Sequence, residues 1–154
     1  YGASYGAYAA LEGVAKEPSL YRCAIGYVGV YDLPEHFHLS DTSQSKWGVN
    51  ALKKIIGESN LEAVSPNHLA DRITVPVMLM AGSEDKRVTP KQTEMMRDAL
   101  KKAGKWVDAK IYPGEGHGFY TLADRTDLYT RMLDFLDSTI GTSAVKSGQT
   151  AGTQ

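Results

Sequence analysis

Val75-Pro76-Val77-Met78-Leu79-Met80-Ala81-Gly82-Ser83-Glu84-Asp85-Lys86-Arg87-Val88-Thr89-Pro90 places an apolar run, a polar turn and a helix start in direct succession. The run Val75 to Ala81 is strand-length, with no polar alternation, as expected of a strand buried on both faces. Thr89 as N-cap and Pro90 as first helical residue predict a helix to about Ala103, stopped by Gly104. The same alternation extends both ways. Arg22 to Val30 (RCAIGYVGV) reads as an earlier buried strand, and Trp106 to Tyr112 as a later one turned by Pro113 and Gly114. Strands alternating with helices predict an α/β fold with a parallel sheet flanked by helices. Three such strands make a thin sheet with an exposed edge.

Outside this frame the pattern varies. Tyr5 to Lys16 is alanine-rich with Leu11 and Val14 at helical spacing, and Glu17-Pro18 ends that helix. Asp32 to Pro66 is looser: Ser40 to Ser43 reads as loop and Lys46 to Ile56 as a helix closed by Gly57, while Asn67 to Arg72 adds a helical turn. A connection this long tends to carry function. A last amphipathic helix is expected to bury Leu122, Leu128, Met132, Leu133, Phe135, Leu136 and Ile140. Residues 141–154, rich in Gly, Ser and Thr, read as a disordered tail.

The 154 residues are the length of one domain. Seventeen basic against eighteen acidic residues leave a net charge of -1. That argues against nucleic acid or an anionic membrane as partner, since both require a clustered positive field. No apolar run approaches a membrane span. The single cysteine, Cys23, cannot form an internal disulfide and reads as a small core hydrophobe. His36 and His38 form an H-x-H without a third ligand at metal spacing, so no metal is expected there. The chain opens Tyr1-Gly2-Ala3-Ser4 without a methionine or a signal peptide. A start of this kind leaves the compartment open between cytoplasm, periplasm and secretion.

Gly2-Ala3-Ser4-Tyr5-Gly6 fits Gly-x-Ser-x-Gly at the mouth of a helix. A nucleophilic serine needs a sharp strand-to-helix turn, with small residues either side so that the backbone can pass. The next amide, that of Tyr5, can then face a developing oxyanion at the positive helix end. A plain turn with Ser4 as cap is the competing reading. Asp85 follows one predicted strand and His117, in Pro113-Gly114-Glu115-Gly116-His117-Gly118-Phe119, follows the next. Ligand crevices of parallel α/β sheets lie at the carboxyl ends of strands. The chain order Ser4, Asp85, His117 is that of the α/β-hydrolase triad. Taken singly, Asp85 could instead cap its loop, Glu84 could be the functional acid, and His117 could be a turn histidine.

These residues resemble the catalytic domain of the prolyl oligopeptidase family, which includes dipeptidyl peptidases and acylaminoacyl peptidases. The resemblance is carried by Gly2 to Leu11, Ser65 to Leu69 (SPNHL), Pro76 to Met96, and Trp106 to Tyr120 with its YPGEGHGF. It implies an α/β-hydrolase fold and a serine peptidase acting on short peptides, with no cofactor or metal. Ser4 would be the nucleophile, Asp85 the acid and His117 the base. Tyr5 would supply half the oxyanion hole, and Arg87 would bind a carbonyl on the acyl side of the substrate. An esterase of the same fold and an inert fragment or interaction module are the alternatives.

The sequence departs from the family where it has Ala7 in place of a usual glycine and Ala81 in place of a frequent histidine. The larger departure lies before Ser4. Family members carry several strands, the second oxyanion donor and usually a β-propeller there. Residues 1–140 are therefore expected to be the C-terminal portion of a larger peptidase domain, with the missing N-terminal part as partner. Alone they should be marginal or inactive.

Overall fold

Met78 and Met80 point to one face of a sheet and Val77 and Leu79 to the other, and all are buried. This is the both-faces burial that an unbroken apolar strand demands. In the computed structural model, which describes residues 1–142, the strand is β3 (Val77–Gly82). The others are β1 (Gly2–Ala3), β2 (Ala24–Tyr27) and β4 (Val107–Tyr112). They form one parallel sheet in the order β1-β2-β3-β4. The three-strand expectation thus gains a two-residue strand, β1, whose Gly2 lies opposite Gly26.

The predicted strand over Arg22 to Val30 is shorter than expected. Val28 takes φ 44°, a left-handed conformation that a β-branched residue rarely adopts, and this bends the chain out of the sheet. Cys23 lies just before β2, half-buried, and packs beside the Ile25 cluster as a small hydrophobe would.

Helices α1 (Tyr5–Lys16) and α4 (Pro90–Lys102), with the 3-10 segment Pro66–Arg72, cover one face. Leu11, Val14, Ile73, Met96 and Leu100 meet Val77 and Leu79 there. Each such side chain contributes about 1.5–3 kcal/mol by leaving water. Helix α5 (Leu122–Ile140) covers the other face through Leu128 and Phe135, with Met132 and Leu136 partly buried. Leu122, Leu133 and Ile140, expected in the core, are instead 78%, 66% and 56% exposed. The reason is angular: at 3.6 residues per turn they lie about 100° round the helix from the stripe that meets the sheet.

Between β2 and β3 the chain forms α2 (Leu33–Leu39) and α3 (Lys46–Ile56). As expected, α3 closes at Gly57, which takes φ 89°. α4 ends in a Schellman turn at Gly104, where Lys105 N donates to the Leu100 carbonyl and Gly104 N to that of Lys101. Thr89 occupies the N-cap position, but its hydroxyl makes no capping bond and is buried without a partner. Of the tail expected over 141–154, Gly141 still caps α5 by donating to the carbonyls of Leu136 and Asp137, and residues 143–154 lie outside those described.

Candidate active site

The parallel register brings three strand ends to one edge. Ala3, Tyr27 and Met80 are in line across β1, β2 and β3, and β3 and β4 run on together to Gly82 and Tyr112. The loops leaving β1, β3 and β4 carry Ser4, Asp85 and His117.

Ser4 joins β1 to α1 with φ 56° and ψ -121°, outside the usual regions for a residue with a side chain. Its N–H continues the sheet by donating to the Tyr27 carbonyl at 2.9 Å. The turn is tight: a Cβ on Gly2 would overlap the backbone carbonyl of Gly6. Gly6 itself has open space where a Cβ would stand, so among the described residues only the first glycine is required for clearance. The Ser4 hydroxyl makes no capping bond to α1. It lies 3.0 Å from His117 Nε2.

His117 Nδ1 lies 2.7 Å from Asp85 Oδ2. A tautomer with the proton on Nδ1 satisfies both contacts, donating to Asp85 and accepting from Ser4. Asp85 is 2% exposed, and its other oxygen, Oδ1, accepts from the amides of Arg87 and Val88, each at 2.9 Å. Those bonds fix the carboxylate and turn Oδ2 towards the imidazole. Ser4, His117 and Asp85 are thus one continuous hydrogen-bonded chain. It can take a proton from the serine and stabilise the resulting imidazolium.

Tyr5 is the first residue of α1, where amides have no intrahelical acceptor. Arg87 does not stand free. Its Nε donates to Asp41 Oδ1 at 2.7 Å, and both side chains remain about half exposed. Burial works against ionisation of Asp41, but bonds from Arg87 and Thr42 outweigh it and hold the carboxyl below its usual range. Asp41 comes from the loose stretch after β2, so the length of that connection is used to reach the acid loop. His36, on α2, is buried, and this lowers its pKa. Among the described residues no group of three or more His, Cys, Asp and Glu is placed to hold a metal.

Sequence reasoning missed what anchors the turn after β2. Gln92 Oε1 accepts from the amides of Tyr31 and Asp32, both at 2.7 Å, and its Nε2 donates to the Asp32 carbonyl. Asp32 Oδ2 meets Asn67 Nδ2 at 2.8 Å and His68 Nε2 at 3.0 Å, while Ser65 Oγ accepts from Leu33 N. The Ser65-Pro66-Asn67-His68 stretch is therefore a clamp, and its density of short polar residues after a loop was the available signal.

Compared with known proteins, the sequence profile of the prolyl oligopeptidase family matches residues 1–143. The chain belongs to the prolyl oligopeptidase family. Dipeptidyl peptidase family member 6 of Caenorhabditis elegans is 27% identical over 147 residues, 91% of this chain but 20% of that protein. The solved puromycin-hydrolyzing peptidase of Mycobacterium tuberculosis superposes with a TM-score of 0.82 at 27% identity, covering 91% of this chain and 21% of that one. A putative carboxymethylenebutenolidase of Salmonella typhimurium is 30% identical over 102 residues, 60% of this chain and 37% of that protein. This prolyl oligopeptidase-family chain thus spans about a fifth of its peptidase relatives. Its parallel sheet flanked by helices is the α/β-hydrolase arrangement of those peptidases. No helix among the described residues is long and apolar enough to cross a membrane.

Proposed function

We propose that this chain is the C-terminal portion of the catalytic domain of a serine peptidase that cleaves short peptides. The observation that carries the reading is the unbroken contact chain Ser4 Oγ, His117 Nε2, His117 Nδ1, Asp85 Oδ2 at 3.0 and 2.7 Å. Ser4 Oγ attacks the scissile carbonyl as His117 Nε2 takes its proton, giving a tetrahedral adduct whose oxyanion the Tyr5 amide stabilises. Collapse of the adduct breaks the C–N bond, and His117 returns the proton to the leaving amine. Water, deprotonated by the same imidazole, then releases the acyl group. Arg87, steadied by Asp41, offers its remaining guanidinium donors to a carbonyl on the acyl side of the substrate. The second oxyanion donor and the gating propeller belong to the preceding part of the protein. The span of about a fifth of the peptidase relatives supports that division.

Similarity to a putative carboxymethylenebutenolidase favours a second reading, ester or lactone hydrolysis by the same triad. The full-length protein should label with a fluorophosphonate and hydrolyse an aminoacyl anilide. Turnover of aryl esters without the anilide would replace peptidase by esterase. Ser4→Ala should abolish labelling and lower turnover by roughly 10⁶-fold. A Ser4→Ala protein that still turned over at the wild-type rate would sink both readings, and a full-length wild type that neither labelled nor hydrolysed anilide or ester would leave an interaction module.

A further inference from the structure

The triad contacts fix the ring of His117 but not the loop that carries it. That loop holds glycines at 114, 116 and 118, and such a segment has many conformations open to it unless something outside the triad restrains it. One side is restrained by the acid loop. Glu84 N donates to the Glu115 carbonyl at 2.9 Å, Gly114 N donates to Ser83 Oγ at 2.9 Å, and a Cβ on Gly82 would overlap the Glu115 carbonyl. These contacts hold the entry to the loop. They leave His117 and the exit towards α5 to be held by something else.

The exit is held by a carboxylate that the triad does not use. Glu115 is 1% exposed, and it folds forward over the loop. Its Oε2 accepts from Tyr120 N at 2.7 Å and its Oε1 from Thr121 N at 3.0 Å. Those amides lie immediately before α5, where the helix dipole also favours an anion. Burial opposes ionisation, but the bonds from Thr121 and Tyr120 outweigh it and hold the carboxyl below its usual range. Both oxygens are occupied by backbone N–H groups, so Glu115 is no proton donor or acceptor for the reaction. A second restraint sits between His117 and those amides: the Tyr27 hydroxyl accepts from Phe119 N at 2.9 Å, and the two rings meet edge to face at 4.9 Å. Tyr27 ends β2, so this bond ties the histidine loop to the sheet.

We propose that Glu115 is a positioning residue for His117, closing the loop 115–121 around the imidazole, with Tyr27 as the second anchor of that loop. The proposal rests on the reading of His117 as the general base. Misplacing a catalytic group by about 1 Å can cost on the order of 10²-fold in rate. In Glu115→Gln one oxygen becomes an NH2 facing an N–H donor, so one of the two bonds is lost with little change of volume. Tyr27→Phe leaves the ring packing and removes only the acceptor at Phe119 N.

The test uses both variants in the full-length protein, with turnover normalised to serines titrated by a fluorophosphonate. Each should lower kcat about 10- to 100-fold with KM within about twofold, and the low-field proton resonance of His117 Nδ1 bonded to Asp85 should broaden or vanish. An unchanged kcat per titrated serine with the resonance intact in either variant that folds would overturn the clamp, even if stability fell. If the wild type hydrolyses neither anilide nor ester, the hydrolase reading falls. The proton resonance, present in the wild type and lost in the variants, would still decide the clamp.

Discussion

Tyr31 is a residue whose cost and use can be separated. Its side chain is fully buried, and the ring is wedged so closely beside β2 that a Cβ on Gly26 or Gly29 would overlap its hydroxyl. That hydroxyl has no hydrogen-bond partner among the described residues, and burial pushes its pKa far above the usual tyrosine value. The ring therefore contributes packing while the oxygen contributes only a desolvation cost, which is about 1–3 kcal/mol for an unpaired buried polar group. Tyr31→Phe should leave stability unchanged or raise it by about 1 kcal/mol, read from the denaturant midpoint of the full-length protein. A fall of comparable size would mean that the hydroxyl has a partner outside residues 1–142. Asp85 contrasts with it: the carboxylate is equally buried, but it is spoken for by two amides and an imidazole, as buried charge requires.

At the scale of elements, the strand-to-helix joint between β1 and α1 makes separate demands on its two glycines. Gly2→Ala drives a Cβ into the Gly6 carbonyl, so the backbone must shift, at a cost of about 1–3 kcal/mol and with loss of the Ser4–His117 contact. Gly6→Ala meets open space among the described residues. Denaturation of the two variants in residues 1–154 alone and in the full-length protein, with fluorophosphonate labelling in the latter, should find Gly2→Ala harmful in both chains. Gly6→Ala should be silent in the short chain. If it is harmful only in the long one, preceding residues pack on that face of α1. The sequence made this joint legible because Gly-x-Ser-x-Gly is local, and the strands and helices were legible because their periods are local too. Asp85 and His117 could be placed because each follows a strand directly. What stayed hidden depends on separations that no period encodes: Asp41 reaching Arg87, Gln92 bonding the turn at Tyr31 and Asp32, and Glu115 turning back on the amides that follow its own loop. The burial of Leu122, Leu133 and Ile140 failed for a related reason, since apolar residues on a helix do not say which stripe meets the sheet.

At the scale of the whole molecule, the parts left uncovered form a pattern. Among the described residues β1 is paired only with β2, so its far edge offers free backbone groups, and Gly6, Ala9 and Ala10 of α1 line a surface cavity of about 250 Å³ nearby. On the opposite face of the sheet, Leu122, Tyr129, Leu133 and Ile140 make a second apolar stripe along α5, all more than half exposed. A free strand edge and an exposed apolar helix stripe are surfaces on which further elements could pack. Leu133→Gln tests whether preceding elements of the full-length protein cover that stripe. In residues 1–154 alone it should change stability by no more than about 0.5 kcal/mol, as at any exposed site, and reduce aggregation. In the full-length protein, where preceding elements would bury Leu133, the same change should cost about 2 kcal/mol or more, because an amide would replace packed methyl groups. Paired denaturation curves give both numbers. Small effects in both chains would mean that α5 meets solvent in the whole protein and that no preceding element packs on that stripe.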